Sequence, residues 1–219
     1  STSSSNTWNY TANALAGVGT PDARKALEAA RSDKNNNKRN YAASALRNLL
    51  QRSPGYQYIS MGRHYSQQLD WKQALAQYNL AVKIDPRLSA AYAGRGNARL
   101  QLKGYKLEEV RKDFLKAVEL DPFNSQAMTG MAIVLLREGK LDAGLKYAED
   151  SQKKVVSNSS SVRRMYAYNL ACVYSRAVEM INQDKTIADR NNRIASCRKK
   201  ALAQLELAVR YGWRNKVWL

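Results

Sequence analysis

The chain has 219 residues, 44% of them hydrophobic, which is enough apolar side chain to bury a core. Its formal net charge is +18, which favours acidic partners and nonspecific contact with polyanions. No apolar run approaches the roughly 18 residues of a transmembrane helix, and two cysteines, Cys172 and Cys197, make no disulfide framework.

In chain order, the start "STSSSNTWNYT" reads as a Ser-rich tether over 1–20. It suits a lipoprotein tether or an interdomain linker equally, so the compartment is expected to be cytoplasmic or tethered periplasmic. There is no initiator Met and no signal-peptide core, which reads as processing or a fragment boundary. Residues 21–54 read as a degenerate helix pair whose second member is "NYAASALRNLLQRSP". Pro54, Pro86 and Pro122 then punctuate the chain, since proline cannot continue a helix. Each follows a helical apolar stripe and precedes another, and the hexapeptide A-V-K-I-D-P at Ala81 returns 36 residues later as A-V-E-L-D-P at Ala117. Short turn signals, "QLDW", "LKGY" and "EGKL", separate the stripes of each pair. The units fall at 55–88, 89–124, 125–158 and 159–211. Small residues recur in register: Gly62, Gly96, Ala132 and Ala171 on the first helices, and Ala81, Ala117, Ser151 and Ala208 on the second. They let helices approach closely.

Self-similarity at about 34 residues marks a stacked array of helix pairs. The pattern resembles the tetratricopeptide repeat (TPR). Tyr58, Met61, Gly62, Tyr65, Ala74, Tyr78, Ala81 and Pro86 match it best. Tyr92, Arg95, Gly96, Arg99, Val110, Phe114, Ala117 and Pro122 follow, then Met128, Met131, Ala132, Leu135, Gly144, Ala148 and Ser151, then Leu170, Ala171, Tyr174, Ala201, Leu205 and Ala208. The resemblance implies an all-α fold, a right-handed TPR superhelix of antiparallel helix pairs. The end, "AVRYGWRNKVWL", resembles the way bacterial TPR arrays finish inside longer proteins, so 212–219 is expected to open a truncated segment in which Trp213 and Trp218 await cover.

The fourth unit departs from the pattern by an insertion of about 18 residues, which would lengthen both helices and project them roughly 13 Å. Lys185, Arg190, Arg193, Arg198, Lys199 and Lys200 make it a basic arm, accompanied by Val178, Ile181, Ile187 and Ile194. Charge concentrates at this end: residues 159–219 hold twelve basic against four acidic residues.

The resemblance also implies that the first helices line a groove. Register gives its walls as Tyr56, Arg63, Gln67, Asn97, Gln101, Gln126, Arg137, Tyr168, Asn169 and Arg176, with Ile59, Ala90, Ala93, Gly94, Thr129 and Gly130 among the remaining wall positions. The set contains no carboxylate. Amides suit a peptide backbone, small residues permit close approach, and arginines take a carboxylate in a bidentate grip. The lysines of the chaperone-binding clamp are missing from the matching positions, so that specific function is not expected. His64, the single histidine, has no metal or catalytic partner nearby in sequence and reads as a surface residue; no catalytic or cofactor cluster stands out. A reactive pairing of Cys172 with Cys197 across the long hairpin stays open. The reading is a non-enzymatic protein-interaction scaffold for a peptide or partner subunit, acidic in character. The alternatives are nucleic-acid or anionic-surface binding through the basic ends, and self-association.

Overall fold

The computed structural model describes residues 2–154 and 160–213, which form eleven α-helices and no strand. In order these are α1 (Thr2–Val18), α2 (Pro21–Ala30), α3 (Asn36–Gln51), α4 (Tyr56–Gln67), α5 (Trp71–Ile84), α6 (Ser89–Gln101), α7 (Leu107–Leu120), α8 (Ser125–Arg137), α9 (Leu141–Lys154), α10 (Ser160–Gln183) and α11 (Arg190–Arg210). The chain divides into two compact units after Tyr58.

The first unit corrects the sequence reading of its start. Residues expected to be a tether form α1, a helix of 17 residues. Ala12 and Ala16, four apart, put a small apolar face toward Leu27, Ala42, Ala45 and Leu46. Abundant Ser and Asn hid this stripe from a compositional reading. Local chemistry fixes the next two helices. Thr20 caps α2 by accepting from the Ala23 amide at 3.3 Å, with Pro21 at the first helical position. The Asn35 side chain accepts from the Asn37 and Lys38 amides to start α3.

The second unit holds the repeats. Asp70 and Asn124 cap α5 and α8 by accepting from the Gln73 and Ala127 amides. The twice-used Asp-Pro ends α5 and α7 by one device. The Asp85 amide donates to the Ala81 carbonyl at 3.0 Å, while its carboxylate accepts from the Arg87 amide at 3.1 Å. Asp121 repeats both bonds, donating to Ala117 and accepting from the Phe123 amide at 3.0 Å. Each Asp thus turns the chain as the following proline forbids further helix. Within pairs, the turn residue is left-handed: Gly104 at φ 96° and Gly139 at φ 79°. In the first pair Leu69 takes this role at φ 61°, a conformation that costs a non-glycine residue roughly 1–2 kcal/mol.

One aromatic side chain couples each of the first two pairs to the next. Tyr78, on α5, is buried between Gly62 of α4 and Gly94 of α6. A Cβ added at Gly62 would lie 2.7 Å from Tyr78 Cε1, and one at Gly94 would lie 2.7 Å from Tyr78 Cδ1 and closer still to Cε1 and Cζ. Phe114, on α7, repeats the arrangement between Gly96 of α6 and Gly130 of α8. A Cβ would stand 3.1 Å from Phe114 Cε1 at Gly96 and 2.8 Å from Phe114 Cδ1 at Gly130. The glycines are therefore the space that the rings fill.

A buried ion network reinforces the second pair. Asp113 of α7 is 2% exposed and accepts from Arg95 Nη2 at 2.6 Å and Arg99 Nη1 at 2.8 Å. Arg95 and Arg99 occupy positions that carry apolar residues in the other repeats. Their charge is tolerated there because Asp113 neutralises part of it and holds the guanidinium groups in fixed geometry.

The fourth pair has the longest helices, with 24 residues in α10 and 21 in α11. Ile181 in the lengthened part of α10 is wholly buried, and Val178, Ile187 and Ile194 join the same apolar cluster. Arg193 pairs with Asp142 and Lys200 with Glu149, so α11 is tied back to α9.

Gly94→Ala should overpack the Tyr78 contact and lower stability by about 1–3 kcal/mol in denaturant unfolding. Gly17→Ala, at a helical position where an added Cβ meets nothing within 4 Å, should instead be neutral or stabilise by about 0.4–1 kcal/mol. Asp113→Ala should cost about 3–5 kcal/mol, because it strands two largely buried guanidinium groups; the same unfolding midpoints check it.

Candidate functional site

The first helices α4, α6, α8 and α10 are in register at their small residues, Gly62, Gly96, Ala132 and Ala171, all buried. Five residues further on stand Gln67, Gln101, Arg137 and Arg176, each a hydrogen-bond donor. The first three are exposed and Arg176 is half-buried. One residue after the small position stand Arg63, Asn97, Ile133 and Cys172. The amides of Asn97, Gln101 and Gln126 make no hydrogen bond among the described residues, which leaves their donors and acceptors to solvent or a ligand.

Other members of the expected set are already engaged. Arg137 Nη1 donates to the Leu100 carbonyl at 3.2 Å, joining the end of α8 to the end of α6. Burial first, and the neighbouring Arg176 second, pull the Arg137 guanidinium below its ordinary value, though arginine stays protonated. Arg176 pairs with Glu179 one turn on. Asn169 Nδ2 donates to Thr129 Oγ1 at 3.4 Å, linking α10 to α8. Tyr168 stacks on Trp213 with centroids 4.2 Å apart and planes 10° from parallel. Burial pushes the Tyr168 hydroxyl up to about 12. Trp213, expected to await cover, is thus already partnered, while Trp218 lies outside the described residues. Tyr56 belongs to the first unit, where its hydroxyl accepts from Gln51 Nε2 at 3.4 Å.

The small residues expected at the groove surface are a correction. Ile59, Ala93, Thr129, Gly94 and Gly130 are buried. Gly94 and Gly130 face Tyr78 and Phe114, so their smallness admits a ring of the preceding pair rather than a ligand. Met61, one of the apolar positions that match the repeat pattern, is 45% exposed. A first helix in a stack is flanked by two second helices, so its buried arc is wider than one stripe and rotated from the expected one.

The basic arm also divides. Arg190 donates to the Ile181 and Asn182 carbonyls at the end of α10, and Arg193 and Lys200 are the ion-paired residues described above. Lys185, Arg198 and Lys199 are exposed and make no ion pair among the described residues. His64 is exposed, with a ring nitrogen 3.2 Å from Gln68 Nε2. Cys172 and Cys197 are free, and burial raises both thiols. Two features were missed in the sequence: Asp113 as partner of Arg95 and Arg99, and the docking of Trp213. Two arginines four residues apart at apolar repeat positions were the available signal for the first.

No protein-family model matches the chain. A segment of 79 residues is 37% identical to RNA polymerase II-associated protein 3 of Rattus norvegicus, a match over 36% of this chain and 11% of that protein. The match thus spans about a tenth of the relative's length, and its rat source does not bear out the bacterial origin expected from the C-terminal end. Among solved structures, the chain is similar to YrrB, described as a TPR protein with an unusual peptide-binding site, at 21% identity over 78% of this chain and 91% of that one, with a TM-score of 0.43. It is also similar to the TPR2B domain of yeast Sti1 in a pHsp70 complex, at 19% identity over 68% of this chain and 97% of that one, with a TM-score of 0.41. No helix of the described residues is long and apolar enough to cross a membrane.

Because a raised thiol keeps less thiolate at neutral pH, Cys172 and Cys197 should alkylate several-fold more slowly in the folded protein than after denaturation at pH 8. Mass-resolved iodoacetamide labelling checks this.

Proposed function

We propose that this protein is a protein-interaction scaffold that holds an extended peptide of a partner across its first-helix face. The observation that carries this reading is the row Gln67, Gln101, Arg137 and Arg176, one donor-bearing side chain per repeat at one register position. An extended chain presents carbonyl acceptors at regular intervals, and a solenoid presents equivalent positions at regular intervals, so the two periodicities suit each other. The free amides of Asn97 and Gln126 add donors and acceptors beside that row. The guanidinium of Arg137, which has no carboxylate partner among the described residues, favours peptides that carry an acidic group. The buried floor under Gly94 and Gly130 limits the ligand to the outer wall of the helices.

Selection from a peptide display library, followed by titration of an enriched peptide, tests the reading. Gln101→Ala and Arg137→Ala should each weaken binding about five- to twentyfold, and Lys83→Ala on α5 should leave it unchanged. Equal losses from all three would place the ligand elsewhere. Binding that collapses steeply with salt, and that heparin displaces, would favour the basic residues Lys185, Arg198 and Lys199 and a polyanion instead.

A further inference from the structure

The first-helix face changes character along the array. One and five residues after the small position, the four helix pairs carry Arg63 and Gln67, Asn97 and Gln101, Ile133 and Arg137, and Cys172 and Arg176. Residues four apart are neighbours on a helix surface, so each helix presents its two side chains together. In the first two helix pairs both are polar. In the last two, a half-buried apolar side chain stands beside an arginine. Cys172 counts as apolar here, because burial raises its thiol and keeps it uncharged at neutral pH. The two helices concerned, α8 and α10, are adjacent and joined by the bond from Asn169 to Thr129.

The arginines at this boundary have too little acid around them. Arg137 Nη1 is bonded to the Leu100 carbonyl, and its guanidinium has no carboxylate partner among the described residues. The charged group that acts on it is Arg176, a second cation. Arg176 Nη1 pairs with Glu179, while its Nε is buried and makes no hydrogen bond among the described residues. Other carboxylates close in the chain are committed elsewhere. Glu138 is held by Arg111 and Lys140, and on α9 Asp142 pairs with Arg193, Glu149 with Lys200, and Asp150 with Lys146 and Lys153. Glu179 therefore serves two neighbouring guanidinium groups alone, which leaves one positive charge and several N–H donors. Like charges side by side cost free energy, and an anion placed between them removes that cost.

We propose that the α8–α10 boundary anchors the peptide: Arg137 and Arg176 together bind the side-chain carboxylate of an internal Asp or Glu, and Ile133 and Cys172 take an apolar side chain within two residues of it. This inference rests on the peptide-binding reading of the first-helix face and specifies its ligand. A carboxylate has two oxygens and accepts from two guanidinium groups at once. Asn97, Gln101 and Gln126 offer uncharged donors and acceptors, so the acidic residue fixes the register of the peptide while the amides hold its backbone.

The test is a random decamer library displayed inside a carrier protein, so that no free terminus contributes, and selected on the intact chain. Enriched decamers should carry Asp or Glu with Leu, Ile, Val or Met within two residues. The strongest is then synthesised with both ends blocked and titrated by fluorescence anisotropy. Changing its acid to the matching amide should weaken binding at least tenfold, and changing its apolar residue to Ser at least fivefold. Arg137→Gln and Arg176→Gln should each weaken the acidic peptide at least fivefold, yet change its amide twin less than twofold. A merely structural role of either arginine would weaken both peptides alike. The net charge of +18 attracts acidic peptides anywhere on the chain, so these two variants carry the decision. Acidic peptides that bind both variants as well as the original chain, or equal losses for the acidic peptide and its twin, would overturn the anchor. So would enriched peptides without an acid that Gln101→Ala weakens, and that result would leave the peptide-binding face itself standing. A selection that enriches nothing would overturn both.

Discussion

The repeats of this chain depend on one contact, an aromatic ring held between glycines on two successive first helices. Tyr78 lies between Gly62 and Gly94, and Phe114 between Gly96 and Gly130. Each ring belongs to the second helix of one pair and touches the first helix of that pair and of the next. It therefore sets the spacing within a pair and between pairs at once. The contact is steric before it is attractive: the helices reach their separation because glycine leaves room for a ring. Burial of the ring, with Tyr78 at 3% and Phe114 at 1% exposure, then supplies the stabilisation that a pair alone cannot. Where no ring stands at this position the packing changes character. In α9 it is Ala148, and α8 meets α10 partly through the bond from Asn169 to Thr129.

This constraint shapes the face proposed to bind a peptide. Because the rings fill the floor, the backbone of the first helices is closed to ligands at Gly94 and Gly130. What remains accessible lies further round each helix and further along it, at Gln67, Gln101, Arg137, Asn97 and Gln126. The stack repeats those register positions once per pair, and the proposed peptide binding rests on that periodicity. The same constraint makes α11 unusual. There the ring's register position holds Leu205, which is 40% exposed among the described residues.

Much of this architecture was legible in the sequence. The Asp-Pro spacing, the turn signals and the recurring small residues located the helix pairs from α4 onward. The size of the insertion leads to an expectation of long helices in the fourth pair; α10 has 24 residues and α11 has 21. Orientation was harder to read. Gly94 and Gly130 read as groove-wall positions because a glycine on a helix looks alike whether it faces a ligand or a neighbouring ring. Ile59 is buried and Met61 exposed for the same reason: burial on a helix flanked on two sides does not follow one stripe. The helix α1 was invisible because its buried face rests mainly on two alanines, Ala12 and Ala16, among serines and asparagines. Ion pairs between distant residues, such as Arg193 with Asp142, leave no local trace in the chain at all.

The central claim is that ring and glycine are sterically coupled across the repeat boundary. A double-mutant cycle of Gly94→Ala with Tyr78→Leu, read by chemical unfolding, tests it most directly. The smaller side chain makes room for the added methyl group. The account predicts that the double variant is more stable than the sum of the single effects by at least about 1 kcal/mol. Additivity within about 0.5 kcal/mol would contradict it, and would mean that Tyr78 does not set the distance between the pairs.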